Sequence, residues 1–262
     1  MIDIYTMGID VGSTASKCII LKNGKEIVAK SLIDVGAGTS GPERSIQGAL
    51  SSANLEMKDM AYVLSTGYGR HTMEAANSEM SELSCHARGA YFQFPNARTI
   101  IDIGGQDAKV MRLDDEGILV NFVMNDKCSA GTGRFLDVMA RALEVKIEDL
   151  EGLSKQSQKE VTISSTCTVF AESEVISQLA KRTDRRDIIR GIHRSIASRV
   201  SALARRIGLA DDVVMTGGVA RNGGVLLALE EELDHKIYTS ELAQYNGALG
   251  AAIFAYQKQC KV

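Results

Sequence analysis

Two stretches of the sequence place an aspartate, a glycine turn and a lysine at the same spacing. Residues 9–17 read IDVGSTASK and residues 101–109 read IDIGGQDAK. In each stretch an apolar run typical of a strand ends at the aspartate, and a glycine turn leads into a second strand. The aligned positions are Asp10, Gly12 and Lys17 in the first stretch and Asp102, Gly104 and Lys109 in the second. A repeated hairpin of this kind indicates a duplicated structural unit.

The first hairpin carries groups that suit the phosphates of a nucleotide. A turn of Gly12, Ser13 and Thr14 would present successive backbone N–H groups to phosphate oxygens, and the two hydroxyls would add donors. Asp10 can hold the waters of a Mg²⁺ ion, because Mg²⁺ keeps several waters and takes few protein carboxylates. Lys17 is expected to belong to the same nucleotide site.

The second hairpin predicts the opposite side of the phosphate site. Asp102, Gly104 and Gly105 would face the phosphates. Gln106 could orient an attacking water, because an amide both donates and accepts hydrogen bonds. The candidate catalytic residues are therefore Asp10, Asp102 and Gln106. The alternative is a pair of tight hairpins in which each aspartate serves only its turn. A P-loop is excluded, because the second glycine before the lysine is missing and a strand follows.

A third glycine turn, MTGGVARNGG at residues 215–224, follows a predicted strand and precedes a predicted helix. Gly217 and Gly218 would let the backbone approach a flat ring or a ribose closely. Asn222 and Arg221 could then contact adenosine or phosphate. Taken alone, the turn is equally compatible with a plain connection between strand and helix.

Two of the five cysteines precede predicted helices. Cys128, in NDKCSAGTGRF, precedes a helix that should begin near Thr132. Cys167, in STCTVFAESE, precedes one that should begin near Val169, with Thr168 as its N-cap. N–H groups at a helix start lower the pKa of a thiol and would also stabilise the sulfides of an iron–sulfur cluster.

An iron–sulfur cluster needs more thiolates than this pair supplies, since four cysteines normally hold it. A two-fold dimer would complete the set, with Cys128 and Cys167 from each subunit and one cluster on the symmetry axis. No Cys-x-x-Cys pair suggests a zinc site. The alternative is a pair of buried or redox-idle cysteines. We expect Cys18 to be a small core residue, and no role is assigned to Cys85 or Cys260.

Strands and helices that alternate along the chain position these motifs and predict an α/β fold. Apolar runs predict strands at Tyr5–Ile9, Lys17–Leu21, Tyr62–Ser65, Thr99–Ile103, Lys109–Leu113, Val161–Ser164, Val213–Thr216 and Lys236–Tyr238. Helical periodicity predicts helices at Ser45–Ala53, Met80–Phe92, Phe135–Leu143, Phe170–Lys181, Ile188–Ile207, Val225–Leu233 and Gln244–Lys258. Gly208 is the expected C-cap of the longest helix.

The 262 residues are enough for two domains, and 45% of them are hydrophobic. The boundary is placed near Pro95–Arg98, which gives domains 1–96 and 97–262. An alternative is that the C-terminal helix packs back on the first domain. The odd number of widely spaced cysteines argues against a disulfide framework.

The net charge of −3 and the lack of a basic block argue against a nucleic-acid partner. No apolar run approaches the ~20 residues that would span a membrane. The first residues, MIDIYTMGID, lack a cationic segment followed by an apolar stretch. A cytoplasmic protein is therefore expected.

Taken together, the three glycine motifs resemble those of a large ATPase superfamily. DVGSTASK, DIGGQDAK and MTGGVARN resemble the first phosphate, second phosphate and adenosine motifs of the acetate and sugar kinase, Hsp70 and actin superfamily. QYNGALGAA, at residues 244–252, looks like that superfamily's late connecting helix. The resemblance implies two ribonuclease-H-like domains of the actin/Hsp70 type, with ATP and Mg²⁺ in a cleft between them and ATP-driven closure.

The cysteine motifs narrow the resemblance. NDKCSAGTGRFL and SSTCTVFAESEVI are similar to the two cysteine motifs of the activators of 2-hydroxyacyl-CoA dehydratases, and SELSCHARGA is similar to a further segment of that family. This implies a homodimer with one 4Fe–4S cluster on Cys128 and Cys167 of both subunits. Ferredoxin or flavodoxin would reduce it. ATP binding and hydrolysis to ADP would drive a low-potential electron into the partner dehydratase.

Three other functions are compatible with parts of this pattern. An ATPase subunit of a benzoyl-CoA reductase-type enzyme shares the cysteine motifs. A small-metabolite kinase of the same superfamily would need a catalytic aspartate, for which Asp107 and Asp126 are candidates. In a non-catalytic nucleotide-sensing regulator the cysteines would be incidental.

Overall fold

The structure is a computed structural model that describes residues 3–125, 127–164 and 167–260. It divides into two compact units. The first contains the described residues up to Asn96, the segment Leu113–Leu119 and the chain from Gln244 onward. The second contains Ala97–Arg112 and Val120–Ala243. Asp126, a candidate aspartate of the kinase alternative, lies outside the described residues.

Ten strands form two sheets in the described chain. They are β1 (Tyr5–Val11), β2 (Ser16–Lys22), β3 (Glu26–Ile33), β4 (Met60–Thr66), β5 (Ser78–Glu79), β6 (Thr99–Ile103), β7 (Ala108–Leu113), β8 (Leu119–Asn125), β9 (Val213–Thr216) and β10 (Ile237–Tyr238). The helices are α1 (Gly41–Ala53), α2 (Glu82–Gln93), α3 (Gly133–Ala142), α4 (Leu150–Ser154), α5 (Thr168–Ala180), α6 (Arg185–Ile207), α7 (Gly223–Leu233) and α8 (Asn246–Gln259).

Each unit has one five-stranded sheet, and both sheets have the same connectivity. The strand order is β3-β2-β1-β4-β5 in the first and β8-β7-β6-β9-β10 in the second. In each sheet the opening hairpin is antiparallel, and the central strand then pairs in parallel with the later one, β4 or β9. The predicted α/β fold is confirmed, and the repeat between residues 9–17 and 101–109 occupies the same two strands of each sheet.

The core of the first unit is built around β1, which is buried from Thr6 onward. Helix α8 packs directly against it, since a Cβ added at Gly8 would lie 2.0 Å from the carbonyl oxygen of Ala248. The small residues of α8 therefore bring this helix onto the sheet of the first unit.

The core of the second unit is built around α6. Its fully buried stripe of Ile188, Ile192, Ile196 and Val200 has the helical spacing expected from the sequence. Helix α6 ends at Ile207, and Gly208, with a φ of +73°, is its C-cap as predicted. No helix in the described part of the chain is long and apolar enough to cross a membrane.

One predicted strand is wrong. Residues 161–164 lie outside any strand. Contacts with helices hold this segment: a Cβ at Gly191 of α6 would lie 2.3 Å from the Val161 carbonyl oxygen. Ser164 donates its N–H to Glu174 Oε2 of α5 at 2.6 Å. The sequence also gave no signal for β3, β5 and β8, whose residues are largely polar or partly exposed.

Candidate functional site

The first hairpin places Asp10 and Lys17 opposite each other on β1 and β2. Lys17 Nζ lies 3.1 Å from Asp10 Oδ2, and the aspartate is buried. The Gly12 N–H donates to the Ala15 carbonyl oxygen at 3.1 Å, which closes the turn. Ser13 and Thr14 are exposed at its tip. The turn thus presents hydroxyl groups to solvent beside a buried ion pair.

Two glycines outside the hairpin pack on the Asp10 carboxylate. A Cβ at Gly67, whose φ is +89°, would lie 2.4 Å from Asp10 Oδ1. A Cβ at Gly247, at the start of α8, would lie 3.2 Å from Asp10 Oδ2 and 3.0 Å from His86 Nε2. Sequence reasoning assigned no role to either glycine, although TGYG follows a strand and therefore marks a turn near that strand's end.

The second hairpin holds a denser network. Asp102 Oδ1 accepts a hydrogen bond from Thr216 Oγ1 at 2.7 Å. Lys109, buried between two carboxylates, lies 3.5 Å from Asp102 Oδ2 and 2.7 Å from Asp107 Oδ2. The Gly104 N–H donates to the Asp107 carbonyl oxygen at 2.9 Å. Asp107, a candidate aspartate of the kinase alternative, therefore forms an ion pair with Lys109.

The tip of this hairpin is more open than its base. Gln106 is exposed, while Gly104 and Gly105 are partly buried. The Gln106 amide is therefore accessible to a ligand or a water above the turn.

The third glycine turn lies against the second hairpin. Gly217 has a φ of +87°, and a Cβ there would lie 2.3 Å from the carbonyl oxygen of Ile103 at the end of β6. Both the backbone conformation and the close approach require glycine at this position. Gly218 is exposed beside it.

Asn222 has a structural task that the sequence interpretation did not include. Its Oδ1 accepts hydrogen bonds from the N–H groups of Gly224 and Val225 at 3.0 and 3.1 Å. The residue is therefore the N-cap of α7. Only the remainder of the side chain could reach a nucleotide.

Cys128 and Cys167 lie on two loops that meet. Both cysteines are partly buried. The residues that follow them touch, since Ser129 Oγ and Thr168 Oγ1 are 2.9 Å apart. Cys167 is itself the N-cap of α5, so the prediction of Thr168 as N-cap is wrong by one residue.

The first turn of α3 connects the Cys128 loop to the second hairpin. The N–H of Gly133 donates to the Gly104 carbonyl oxygen at 2.9 Å, and the N–H of Arg134 donates to the Gly105 carbonyl oxygen at 2.8 Å. These donors were expected to stabilise a thiolate or cluster beside Cys128. They hold the second hairpin instead.

Two of the other cysteines differ from this pair in being fully buried. Cys18 and Cys85 are buried in the core, and burial raises the pKa of both thiols, that of Cys85 to about 12. Among the residues described here, no group of three or more His, Cys, Asp or Glu side chains could hold a metal ion. One chain thus supplies two partly buried thiols on loops that meet, which is half of the set that a 4Fe–4S cluster takes. This donor set fits a cluster shared by two copies.

Comparison with known proteins agrees with the motifs. The model of the BadF/BadG/BcrA/BcrD ATPase family matches residues 7–255. The chain is 67% identical to the (R)-2-hydroxyglutaryl-CoA dehydratase activating ATPase of Acidaminococcus fermentans, over 98% of this chain and 99% of that protein.

Two solved structures have the same fold over almost the whole chain. Component A of the Acidaminococcus fermentans (R)-2-hydroxyglutaryl-CoA dehydratase superposes with a TM-score of 0.95 at 67% identity, covering 98% of this chain and 99% of that one. The activator of the 2-hydroxyisocaproyl-CoA dehydratase from Clostridium difficile, with bound ADPNP, gives a TM-score of 0.96 at 54% identity, covering 98% and 96%.

Proposed function

This chain belongs to the BadF/BadG/BcrA/BcrD ATPase family, and we propose that it couples ATP hydrolysis to electron transfer as the activator of a 2-hydroxyacyl-CoA dehydratase. The observation that carries this conclusion is 67% identity to a dehydratase-activating ATPase along the full length of both chains. A relative of the same class has been solved with a bound ATP analogue. The kinase alternative is weakened, because Asp107 is held by Lys109.

We propose that both hairpins bind phosphate groups of the nucleotide. The exposed Ser13 and Thr14 hydroxyls and the backbone around Gly12 and Gly104 would donate to phosphate oxygens. Gln106 would orient the attacking water from the exposed tip of its hairpin. The turn at Gly217 and Gly218 would face the adenosine.

Asp10 is proposed to hold Mg²⁺ through its waters, and Asp102 stays a proposed catalytic residue. A bound Mg²⁺ would neutralise the charge that develops on the transferred phosphoryl group. Asp10 keeps its carboxylate between Lys17 and two glycines, which leaves no side chain packed on it from Gly67 or Gly247. That arrangement supports a small, hydrated ligand at this carboxylate.

Cys128 and Cys167 of two copies are proposed to hold one 4Fe–4S cluster. When bound, such a cluster stores and passes on single electrons at low potential. The first turn of α5, directly after Cys167, exposes Val169 and Phe170 by 66% and 65%. An apolar surface beside a half-complete ligand set supports packing against a second copy of this chain.

The coupling between nucleotide and electron is proposed to run through α3. Its first two N–H groups bond the carbonyl oxygens of Gly104 and Gly105, so a movement of the nucleotide hairpin would pull on the helix that follows Cys128. About 1.4 kcal/mol corresponds to a tenfold change in a redox equilibrium. The gain or loss of one or two hydrogen bonds is therefore enough to affect electron delivery.

The proposed function also requires an electron donor and a compartment in which thiols stay reduced. A ferredoxin or flavodoxin is proposed as the electron donor, and the cytoplasm as the compartment, because thiols stay reduced there. No disulfide joins the five cysteines in the described structure, which is compatible with such a setting.

The proposal is tested by measuring ATP hydrolysis for Asp10→Asn and Gln106→Ala. We expect turnover to fall by roughly 10²-fold or more in each, because positioning of water and charge supplies effects of that size. Cluster content should be unchanged, and Ser52→Ala, at an exposed hydroxyl of α1, is the control. Unchanged turnover in both variants would refute the assignment of the phosphate site.

A further inference from the structure

We propose that the hydroxyl pair of Ser129 and Thr168 sets the separation between Cys128 and Cys167, which makes both hydroxyl residues positioning residues of the electron-transfer site. The inference rests on the proposed function only in taking these cysteines as ligands. It goes beyond that function because it names the contact that sets the separation of the two thiols. The observation behind it is the 2.9 Å contact between the two hydroxyl oxygens.

The two cysteine loops are otherwise anchored to different parts of the second unit. The Cys128 carbonyl oxygen accepts a hydrogen bond from Asn125 Nδ2 at 2.8 Å. The Ser129 carbonyl oxygen accepts one from Thr132 Oγ1 at 2.7 Å. These contacts tie the first loop to β8 and to the start of α3, and through α3 to the nucleotide hairpin.

The loop that carries Cys167 is tied to α5 and α6 instead. Ser164 donates its N–H to Glu174 Oε2 at 2.6 Å, and its carbonyl oxygen accepts from Ser195 Oγ at 3.1 Å. The Cys167 carbonyl oxygen accepts the N–H of Ala171 at 3.0 Å. Each loop therefore keeps these anchors when the hydroxyl pair is removed, while the hydrogen bond that joins the loops through Ser129 and Thr168 is lost.

The position of the pair fits this role. Each hydroxyl belongs to the residue that directly follows a cysteine, so one hydrogen bond couples the backbones of both ligands. Thr168 is the first residue of α5, and its branched side chain has few rotamers, which fixes the direction of its hydroxyl. A movement of α3 driven from Gly104 and Gly105 would reach Cys167 through this contact.

The first test uses the metal-free protein and does not depend on any cluster. In a Cys260→Ser background, a short bismaleimide would join Cys128 to Cys167 within one chain, since Cys18 and Cys85 are buried. We expect Thr168→Val and Ser129→Ala to slow this cross-linking about five-fold, the effect of one net hydrogen bond. Thr168→Ser should restore the rate, because it restores the hydroxyl.

The control is Ser52→Ala, which removes an exposed hydroxyl of α1 that bonds the Ala49 carbonyl oxygen. It should cross-link at the rate of the unmodified protein. All variants should remain folded at the temperature of the assay, which a thermal unfolding curve checks. Equal cross-linking rates for Thr168→Val and the unmodified protein would overturn the proposal.

The second test uses protein loaded with iron and sulfide without oxygen. Thr168→Val should release iron to a chelator about five-fold faster than the unmodified protein and change its electron paramagnetic resonance spectrum, with both effects reversed in Thr168→Ser. If the unmodified chain takes up no iron, the cluster assignment fails, while the cross-linking test still decides the role of the pair. If iron release is unchanged in Thr168→Val, the pair has no positioning role and the cluster assignment stands.

Discussion

The two aspartates that open the hairpins have different surroundings, although their sequence contexts match. Asp10 has Lys17 as its ion-pair partner, and Gly67 and Gly247 pack close to its carboxylate. Asp102 accepts from Thr216 and shares the buried Lys109 with Asp107. Asp102 is thus held by more side-chain contacts than Asp10. Asp10 is therefore the better candidate for a carboxylate that moves when a ligand binds.

His193 supplies a residue-level prediction about pH. It is 1% exposed, and burial lowers its pKa from 6.5 to about 4, although Glu151 acts in the opposite direction. Its Nδ1 lies 3.1 Å from Ser154 Oγ, and its Nε2 is a buried nitrogen with no hydrogen-bond partner in the described structure. The ring is therefore neutral in the folded protein.

Between pH 6.5 and 4 the unfolded chain would take up a proton at His193 and the folded chain would not. Stability from this residue is complete above pH 6.5 and falls as the pH is lowered, by about 3 kcal/mol across the window. Denaturant unfolding at pH 7 and pH 4.5 should show a smaller loss in His193→Gln than in the unmodified protein. His71→Gln, at an exposed histidine, is the control. Parallel losses in all three proteins would contradict this account.

At the level of elements, the glycine turn after β9 packs so closely on the end of β6 that no side chain fits at Gly217. Gly217→Ala should destabilise the protein by roughly 1–3 kcal/mol, because the position has a positive φ and the added Cβ would meet the Ile103 carbonyl oxygen at 2.3 Å. The measurement is denaturant unfolding together with nucleotide affinity. Gly152→Ala, in α4 with nothing within 4 Å of the added Cβ, should be neutral or slightly stabilising. Equal stability of Gly217→Ala and the unmodified protein would exclude this role for the turn.

The exposed face of α5 gives a second prediction at this level. Val169, Phe170 and Ile176 are exposed by 66%, 65% and 55% in a single chain. If a second copy covers them, Phe170→Ser should shift the protein toward monomers in sedimentation and lower its iron content in parallel. Leu227→Ser, at an exposed apolar residue of α7, should leave the oligomeric state unchanged. A dimer of undiminished affinity in Phe170→Ser would place the interface elsewhere.

Elements were predictable where local patterns dominate, and less so where distant contacts do. The buried strand β6 and the stripe of α6 follow from apolar periodicity, and their predicted positions are confirmed. The segment 161–164 has the residues of a strand, but Asp187, Gly191 and Glu174 hold the segment around it against helices. These partners lie many residues away in the sequence, so a local sequence pattern cannot predict the contacts.

The candidate site was predictable to a similar extent. The repeated spacing of Asp10 and Asp102 was visible in the sequence, because hairpin geometry is local. The packing of Gly67 on Asp10 and the bonds from α3 to Gly104 and Gly105 join distant parts of the chain. They became apparent only in three dimensions.

On the scale of the whole molecule, the chain consists of two units. Their sheets have the same strand connectivity, but the segments added to each sheet differ. The second unit alone carries the cysteine loops, inserted between β8 and α3 and before α5. The hairpin of Gly104 and Gly105 accepts hydrogen bonds from the helix that follows the first of these loops. If this hairpin binds ATP and the cysteines hold a cluster, as proposed, these hydrogen bonds give ATP binding a mechanical route to the thiols.

The most direct test of this account is the iron content and native mass of the chain purified without oxygen. The account predicts a brown dimer with about four irons per two chains. It also predicts that Cys128→Ser and Cys167→Ser lose the iron and keep their ATP affinity. A serine variant with its full complement of iron and sulfide, or a single chain that carries a complete cluster, would contradict it.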